Sequence, residues 1–270
     1  MTRLALIAGM GLLPRAVMGA LPEPPLVCAL DGFVPEGVQP DMTFRLERLM
    51  PALRALGDRG VTEVAFAGAV RRPKLDPSLF DAATAQLVPR MLAAMQSGDD
   101  GTLREFIRIF EEEGFVVKAV SDLASALLPG PGLISGSLTP RDEADAMRAA
   151  SIVAALGAVD VGQGACVAQG LCLAVEALPG TDAMLAQVAA MSPALRPDPA
   201  QGRGLLYKGA KPGQDRRIDQ PAIGPETLVN VGAAGLGGVA FEAGSVICLE
   251  LDAMRQEAAR LGLFLWARPC

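Results

Sequence analysis

The stretch LALIAGMGLLP, Leu4 to Pro14, decides the fold class. Leu4–Ala8 is apolar without alternation, the pattern of a strand buried on both faces of a parallel sheet. Gly9 and Gly11 break the run, and a helix is expected from about Pro14. The same order recurs downstream. Leu26–Leu30 is a second apolar run, and Met42–Gly57 has helical spacing through Phe44, Leu46, Leu49, Leu53 and Leu56. Val61–Ala67 reads as a third strand closed by Gly68. Phe80–Met95 and Thr102–Gly114 read as helices, the second capped by Asp99 or Asp100 and ended by Gly114. Phe115–Val120 is a fourth strand. Strands alternating with helices imply a parallel sheet with right-handed crossovers, so the first half is expected to be a Rossmann-like α/β domain.

Beyond it, Pro129–Pro140 reads PGPGLISGSLTP, the richest Pro/Gly/Ser stretch and the expected linker. This sets domains of residues 1–134 and 135–270. The second half begins with a helix (Arg141–Leu156). Ala165–Ala168 and Leu171–Ala177 flank Gln169-Gly170 as a hairpin. Thr181 is placed to cap a helix over Asp182–Met191, and Leu205–Lys208 is a short strand. A polar loop, Lys211–Pro225, precedes a helix near Glu226–Ala234. Strands at Val239–Glu242 and Val246–Leu249, a helix at Asp252–Leu261 and a strand at Phe264–Ala267 complete a mixed-sheet α/β domain.

The composition narrows the chemistry. The 270 residues are 51% apolar and 20% charged, which suits a packed core. A net charge of −6 argues against nucleic acid as a partner, because that needs a basic surface. Histidine is absent, which excludes Ser-His-Asp and Cys-His catalysis and histidine-held zinc. Five cysteines (28, 166, 172, 248, 270) form no C-x-x-C pair and suggest reduced thiols in the cytoplasm, with Cys166 and Cys172 as small core residues. The start carries Gly-Met-Gly and Pro14 in place of a signal-peptide pattern, and no apolar run is long enough to span a membrane.

Several motifs carry chemistry. Gly9 and Gly11 after a strand can expose backbone N–H groups to a phosphate or ribose, or simply make a tight turn. Arg71 and Arg72 follow the third strand, where open α/β sheets bind ligands, and read either as phosphate contacts or, slightly favoured on sequence alone, as solvated loop charges. Asp99 and Asp100 serve as caps or as ligands to a ribose, a base or a metal. The densest chemistry is in the second half, at Asp160–Gly164 (DVGQG), at Glu176 with Thr181 and Asp182, and in the loop KGAKPGQDRRIDQPAIGP (Lys208–Pro225). Carboxylates can hold a hard ion such as Mg²⁺ or Mn²⁺, and Lys and Arg can stabilise phosphate charge. The same parts would also make a plain anion-binding loop.

Six segments together resemble the LpxI family in order: L-I-A-G-x-G-x-L-P, A-G-x-V-x-R-P, G-D-D, D-V-G-Q, A-V-E-x-x-x-G-T-D-A-M and K-x-G-Q-D-R-R-I-D-x-P-x-I-G. That family comprises UDP-2,3-diacylglucosamine pyrophosphatases of lipid A biosynthesis in Gram-negative bacteria. The resemblance implies metal-dependent hydrolysis to UMP and 2,3-diacylglucosamine 1-phosphate (lipid X), with water attacking the α-phosphorus. It implies an N-terminal UDP-binding domain and a C-terminal acyl-sugar domain. It further implies Asp219 as catalytic residue and metal ligand, with Glu176 and Lys211 in the catalytic set. Gln163, Thr181 and Asp182 would join them. Gly9, Gly11, Leu12, Gly68, Ala69, Val70, Asp99 and Asp100 would line the uridine side. The chain departs from the family where Gln220 and Ala222 replace the leucine and threonine of V-D-L-P-T-I-G, and at Met10.

An acylated substrate implies a cytoplasmic protein in transient contact with the inner membrane. Apolar residues around Leu127, Leu133 and Leu138, or along Met184–Leu195, are the candidates for an acyl groove, with core packing as the alternative. A homodimer is compatible with the sequence. Two other readings exist: a non-catalytic diphosphate-lipid or nucleotide binder, and a dinucleotide-dependent oxidoreductase, which the broken G-x-G-x-x-G pattern disfavours.

Overall fold

The computed structural model describes residues 3–269 except 71–73, 97, 98, 214, 218 and 219, and the side chains of Asp99 and Asp100 are likewise outside it. Contacts divide the chain into two compact units, residues 1–126 with 215–219, and residues 127–214 with 220–270.

In the first unit the strands are β1 (Leu4–Ala8), β2 (Leu26–Leu30), β3 (Met42–Phe44), β4 (Glu63–Ala67) and β5 (Val116–Lys118). All pair in parallel, in the order β3-β2-β1-β4-β5. The helices are α1 (Leu13–Ala20), α2 (Leu49–Asp58), α3 (Ala82–Ala85), α4 (Val88–Gln96), α5 (Asp99–Glu112) and α6 (Val120–Leu123). The Rossmann-like expectation holds. Leu49, Leu53 and Leu56 of α2 and Ile107, Ile109 and Phe110 of α5 form one buried cluster with Ala5, Val64 and Val117 of the sheet. Arg90 of α4 binds both Glu105 (2.7 Å) and Glu112 (2.7 Å) of α5.

Three details differ from the sequence reading. Met42–Phe44 is a strand beside β2, and the helix begins only at Leu49. The helix expected over Phe80–Met95 is broken into α3 and α4. Asp99 and Asp100 lie in the first turn of α5 and do not precede it, a position where acids complement the helix dipole.

The strand order reverses at β1, so the C-terminal ends of β1 and β4 flank the switch point where open α/β sheets bind ligands. Both ends carry candidate residues, and the two loops bond to each other. Gly9 N–H donates to the Ala67 carbonyl (2.7 Å), and Met10 and Ala69 exchange both backbone hydrogen bonds (2.9 and 3.0 Å). Gly68 has φ +97°, and a Cβ there would lie 2.7 Å from the Gly9 carbonyl carbon.

The second unit contains β6 (Gly132–Ser135), α7 (Pro140–Gly157), β7 (Gly164–Ala168), β8 (Leu171–Val175), α8 (Gly180–Ala189), β9 (Leu205–Lys208), β10 (Ala222–Ile223), α9 (Pro225–Ala233), β11 (Gly238–Glu242), β12 (Ile247–Cys248), α10 (Leu251–Leu261) and β13 (Phe264–Arg268). A six-stranded mixed sheet runs β6-β13-β11-β9-β7-β8, and β10 pairs with β12 separately. The expected hairpin is β7–β8. The division between units falls at 126/127, ahead of the expected 134/135, because the Pro/Gly stretch contains β6, which pairs antiparallel with β13.

Alternation along β9 assigns its faces. Leu205 and Tyr207 meet Ala146, Ala149 and Val153 of α7, while Leu206 meets the cluster of α8, α9 and α10 that includes Leu185, Leu228 and Met254. The result is three layers, helix on sheet on helices. α7 starts at a capping box, with Asp142 N–H donating to Thr139 Oγ1 (3.3 Å) and Thr139 N–H to Asp142 Oδ2 (2.9 Å). Thr181 is not a cap. It lies inside the first turn of α8, whose N-cap position is Pro179.

Gly68→Ala is expected to cost at least ~1–3 kcal/mol, since it adds a left-handed backbone to a collision with the Gly9 backbone. Gly57→Ala, in α2 with nothing within 4 Å of its added carbon, is expected to stabilise by about 0.5–1 kcal/mol. Urea denaturation of both variants checks the contrast.

Candidate functional site

In the second unit the chemistry gathers where the parallel strands β9 and β11 end. Lys208 is the last residue of β9 and shares the core-facing parity of Leu206. An ammonium there must find charge and hydrogen-bond partners. It finds Glu176, just past the end of β8. Lys208 Nζ donates to Glu176 Oε1 (2.8 Å) and Oε2 (2.7 Å) and to Thr181 Oγ1 (2.7 Å). Thr181 Oγ1 donates in turn to Glu176 Oε1 (3.0 Å). The two charged side chains are only 4% and 10% exposed. All three ammonium protons are thereby used.

The DVGQG motif is shaped to this pair. Gly164, the first residue of β7, pairs with Lys208, and a Cβ on it would lie 2.5 Å from Glu176 Oε2. Its carbonyl accepts the Glu176 N–H (2.8 Å). Asp160, in the left-handed region at φ 56°, holds Lys211 Nζ at 2.7 Å. Lys211 is therefore engaged with a carboxylate, and an incoming diphosphate must compete for it. Gln163 has its carbonyl oxygen bonded by Gly209 N–H (3.0 Å), while its buried side-chain Oε1 has no partner among the described residues. Asp182, in the first turn of α8, is exposed and accepts from Asn230 of α9 (3.0 Å).

A second carboxylate occupies the end of β11. Glu242 accepts from Ala210 N–H (3.0 Å) and Ser245 Oγ (2.9 Å), which ties the start of the long loop to the sheet. Within the first unit, Arg217 of that loop binds Asp215 (2.7 Å) and Glu111 of α5 (2.6 Å). The hydrogen bond from the Arg217 side chain, above all, holds the Asp215 carboxyl below its usual range.

Of the expected site residues, the structure brings Glu176, Thr181 and Gln163 to one end of the sheet, with Lys211 following in the same loop as Lys208. Lys208 and Glu242 were not singled out as site residues. The parity of Lys208 with Leu206 is the one sequence signal that a charge is aimed inward. In the first unit Gly9, Gly68 and Ala69 serve the loop-to-loop bonding, and Gly11, Leu12 and Val70 lie just beyond it, Val70 being 51% exposed. Asp219, Arg71 and Arg72 lie outside the described residues. The acyl-groove expectation fails for Met184, Leu185 and Val188, which are core residues of 3% exposure or less.

Two domain models match the chain, the LpxI N-terminal domain over residues 3–127 and the LpxI C-terminal domain over residues 131–266. The chain belongs to the LpxI family. It is 35% identical to the UDP-2,3-diacylglucosamine pyrophosphatase LpxI of Caulobacter vibrioides, over 98% of this chain and 97% of that one. The LpxI domain boundary, between residues 127 and 131, falls just ahead of β6.

Lys208→Met is expected to destabilise by about 3–5 kcal/mol, because it strands a buried carboxylate, and Lys208→Met with Glu176→Leu is expected to recover most of that loss. Chemical denaturation of the single and double variants checks this. The four described cysteines are free. Burial pushes the Cys28 thiol up to about 11 and those of Cys166 and Cys248 up to about 12. Cys172, expected in the core, is instead exposed on the edge strand β8. A bulky thiol reagent on the native protein should label Cys172 and spare Cys28, Cys166 and Cys248.

Proposed function

We propose that the protein hydrolyses the diphosphate of UDP-2,3-diacylglucosamine to UMP and 2,3-diacylglucosamine 1-phosphate, with water attacking the α-phosphorus. The reading is carried by the likeness to the Caulobacter pyrophosphatase along almost the whole chain. The geometry supports it with Lys211, held by Asp160 in the loop that follows the buried Lys208–Glu176 pair. UDP recognition is assigned to the first unit, whose switch point carries Gly11, Leu12 and Val70 at the ends of β1 and β4. The acylated sugar is assigned to the second unit.

Each residue has a role within its own reach. Lys211 can exchange Asp160 for a phosphate oxygen, a stronger charge-assisted acceptor. Glu176 holds Lys208 and Thr181 in fixed positions, and Gln163 Oε1 can accept a donor from the substrate. Asp219 orients or deprotonates the attacking water. A divalent ion such as Mg²⁺ or Mn²⁺, when bound, neutralises phosphate oxygens and lowers the pKa of bound water. The described carboxylates do not fit such an ion by themselves. Glu176 is engaged by Lys208 and Thr181, Glu242 accepts from Ala210 and Ser245, and among the described residues no three acidic or thiol groups converge. Ion binding in this reading depends on Asp219.

Among the described residues no helix is long and apolar enough to cross a membrane. The proposed substrate nevertheless implies a cytoplasmic protein that touches the inner membrane. The edge strand β8 and its continuation support this, with Leu171 58% and Leu178 92% exposed.

Asp219→Asn is expected to keep the thermal unfolding curve and lower UMP release by roughly 10²–10⁴-fold. Chelation with EDTA should stop turnover, and Mg²⁺ or Mn²⁺ should restore it. In H₂¹⁸O the label should enter UMP. Label in the sugar phosphate would contradict attack at the α-phosphorus, and undiminished turnover of the variant would remove Asp219 from the mechanism.

A further inference from the structure

Gln220 stands at the start of the segment leading into β10, in the second unit. The next residue, Pro221, accepts the Ile247 N–H (2.8 Å), and Val246 donates to the Glu242 carbonyl (3.3 Å). The backbone is thereby tied to the end of β11, the end of the sheet where Glu176 and Lys208 meet. Both polar atoms of the Gln220 side chain, Oε1 and Nε2, are buried and have no hydrogen-bond partner among the described residues. In the orientation assigned to the carboxamide neither atom is paired.

A buried carboxamide without partners is costly, and an apolar side chain of the same length would be cheaper there. The kind of partner that resolves this is restricted. A phosphate oxygen only accepts and would leave Oε1 unpaired. A metal ion would take Oε1 and leave the NH₂ unpaired. A hydrocarbon chain would leave both. A neutral group that donates and accepts together satisfies both atoms, and a hydroxyl or an acylamino group does so.

We propose that Gln220 is a specificity-determining residue that reads a neutral donor–acceptor group on the sugar of the substrate, and not its diphosphate or its hydrocarbon. The proposal rests on the hydrolase reading above. In a sugar nucleotide the hexose is joined directly to the phosphate that departs with it. Gln220 follows Asp219 directly in the chain, so one short segment carries the residue assigned to the water and the residue assigned to the sugar.

The test compares wild type with Gln220→Met, which keeps length and removes donor and acceptor. The variant is expected to melt at or above the wild-type temperature without ligand. Its KM for UDP-2,3-diacylglucosamine should rise about tenfold with kcat changed less, the loss of one or two neutral hydrogen bonds to substrate. Thermal shifts with soluble probes identify the source. A shift weakened for both UDP-glucose and UDP-N-acetylglucosamine assigns a sugar hydroxyl, and one weakened for UDP-N-acetylglucosamine alone assigns the acylamino group. Either result supports the proposal. Unchanged KM and unchanged probe shifts would overturn it, because the amide then meets only water. Should Gln220→Met not fold, Gln220→Asn, which draws the same groups back by one carbon, is read in the same way. If wild type released no UMP, the hydrolase reading would fall, and the probe shifts alone would judge Gln220.

Discussion

A lysine facing the core at the end of a strand constrains much of the second unit. Lys208 cannot be left without charge compensation, so Glu176 must stand within 3 Å of it, just past β8. That position fixes what can lie beside it. Gly164 must be glycine because the Glu176 carboxylate occupies the space of its side chain. Thr181 must open α8 within reach of both charges. An ion pair of this kind is weak support for stability, since its desolvation offsets most of the attraction. Its value lies in specifying one arrangement of β7, β8, β9 and α8, and so in presenting Gln163 and Lys211 from a rigid base.

The parallel strands of the first unit were legible because burial on both faces leaves uninterrupted apolar runs, as in Leu4–Ala8 and Leu26–Leu30. Met42–Phe44 was not, because three residues are too few to show a period and their apolar spacing runs on into α2. β6 was hidden in PGPGLISGSLTP for a different reason. An edge strand needs only one partner, tolerates glycine and proline around it, and leaves Leu133 47% exposed. At the site, Glu176 and Thr181 were visible as polar residues at element ends. Lys208 reads as the end of a strand and the start of the polar loop, with nothing local to show that helices bury both faces of β9. The inward charge follows from the layering of α8, α9 and α10, which no local pattern states.

For the glycines of the first unit, a tight turn and ligand contact are two readings that sequence alone does not separate. Gly9 and Gly68 are required by the close approach of two backbones, whatever ligand binds nearby. Their loops are stiffened by the paired bonds between Met10 and Ala69. A stiff rim suits a binding crevice, because little conformational entropy remains to be lost when a ligand arrives. Structural need by itself accounts for both glycines in this pair of loops.

The first unit is not a continuous piece of chain, because it includes residues 215–219, and within it Arg217 grips Glu111. The family boundary between residues 127 and 131 thus leaves Arg217 in the C-terminal family domain and its partner Glu111 in the N-terminal one. A cut there would separate Glu111 from the Arg217 that grips it. The first half expressed alone is expected to leave the Glu111 carboxylate to water.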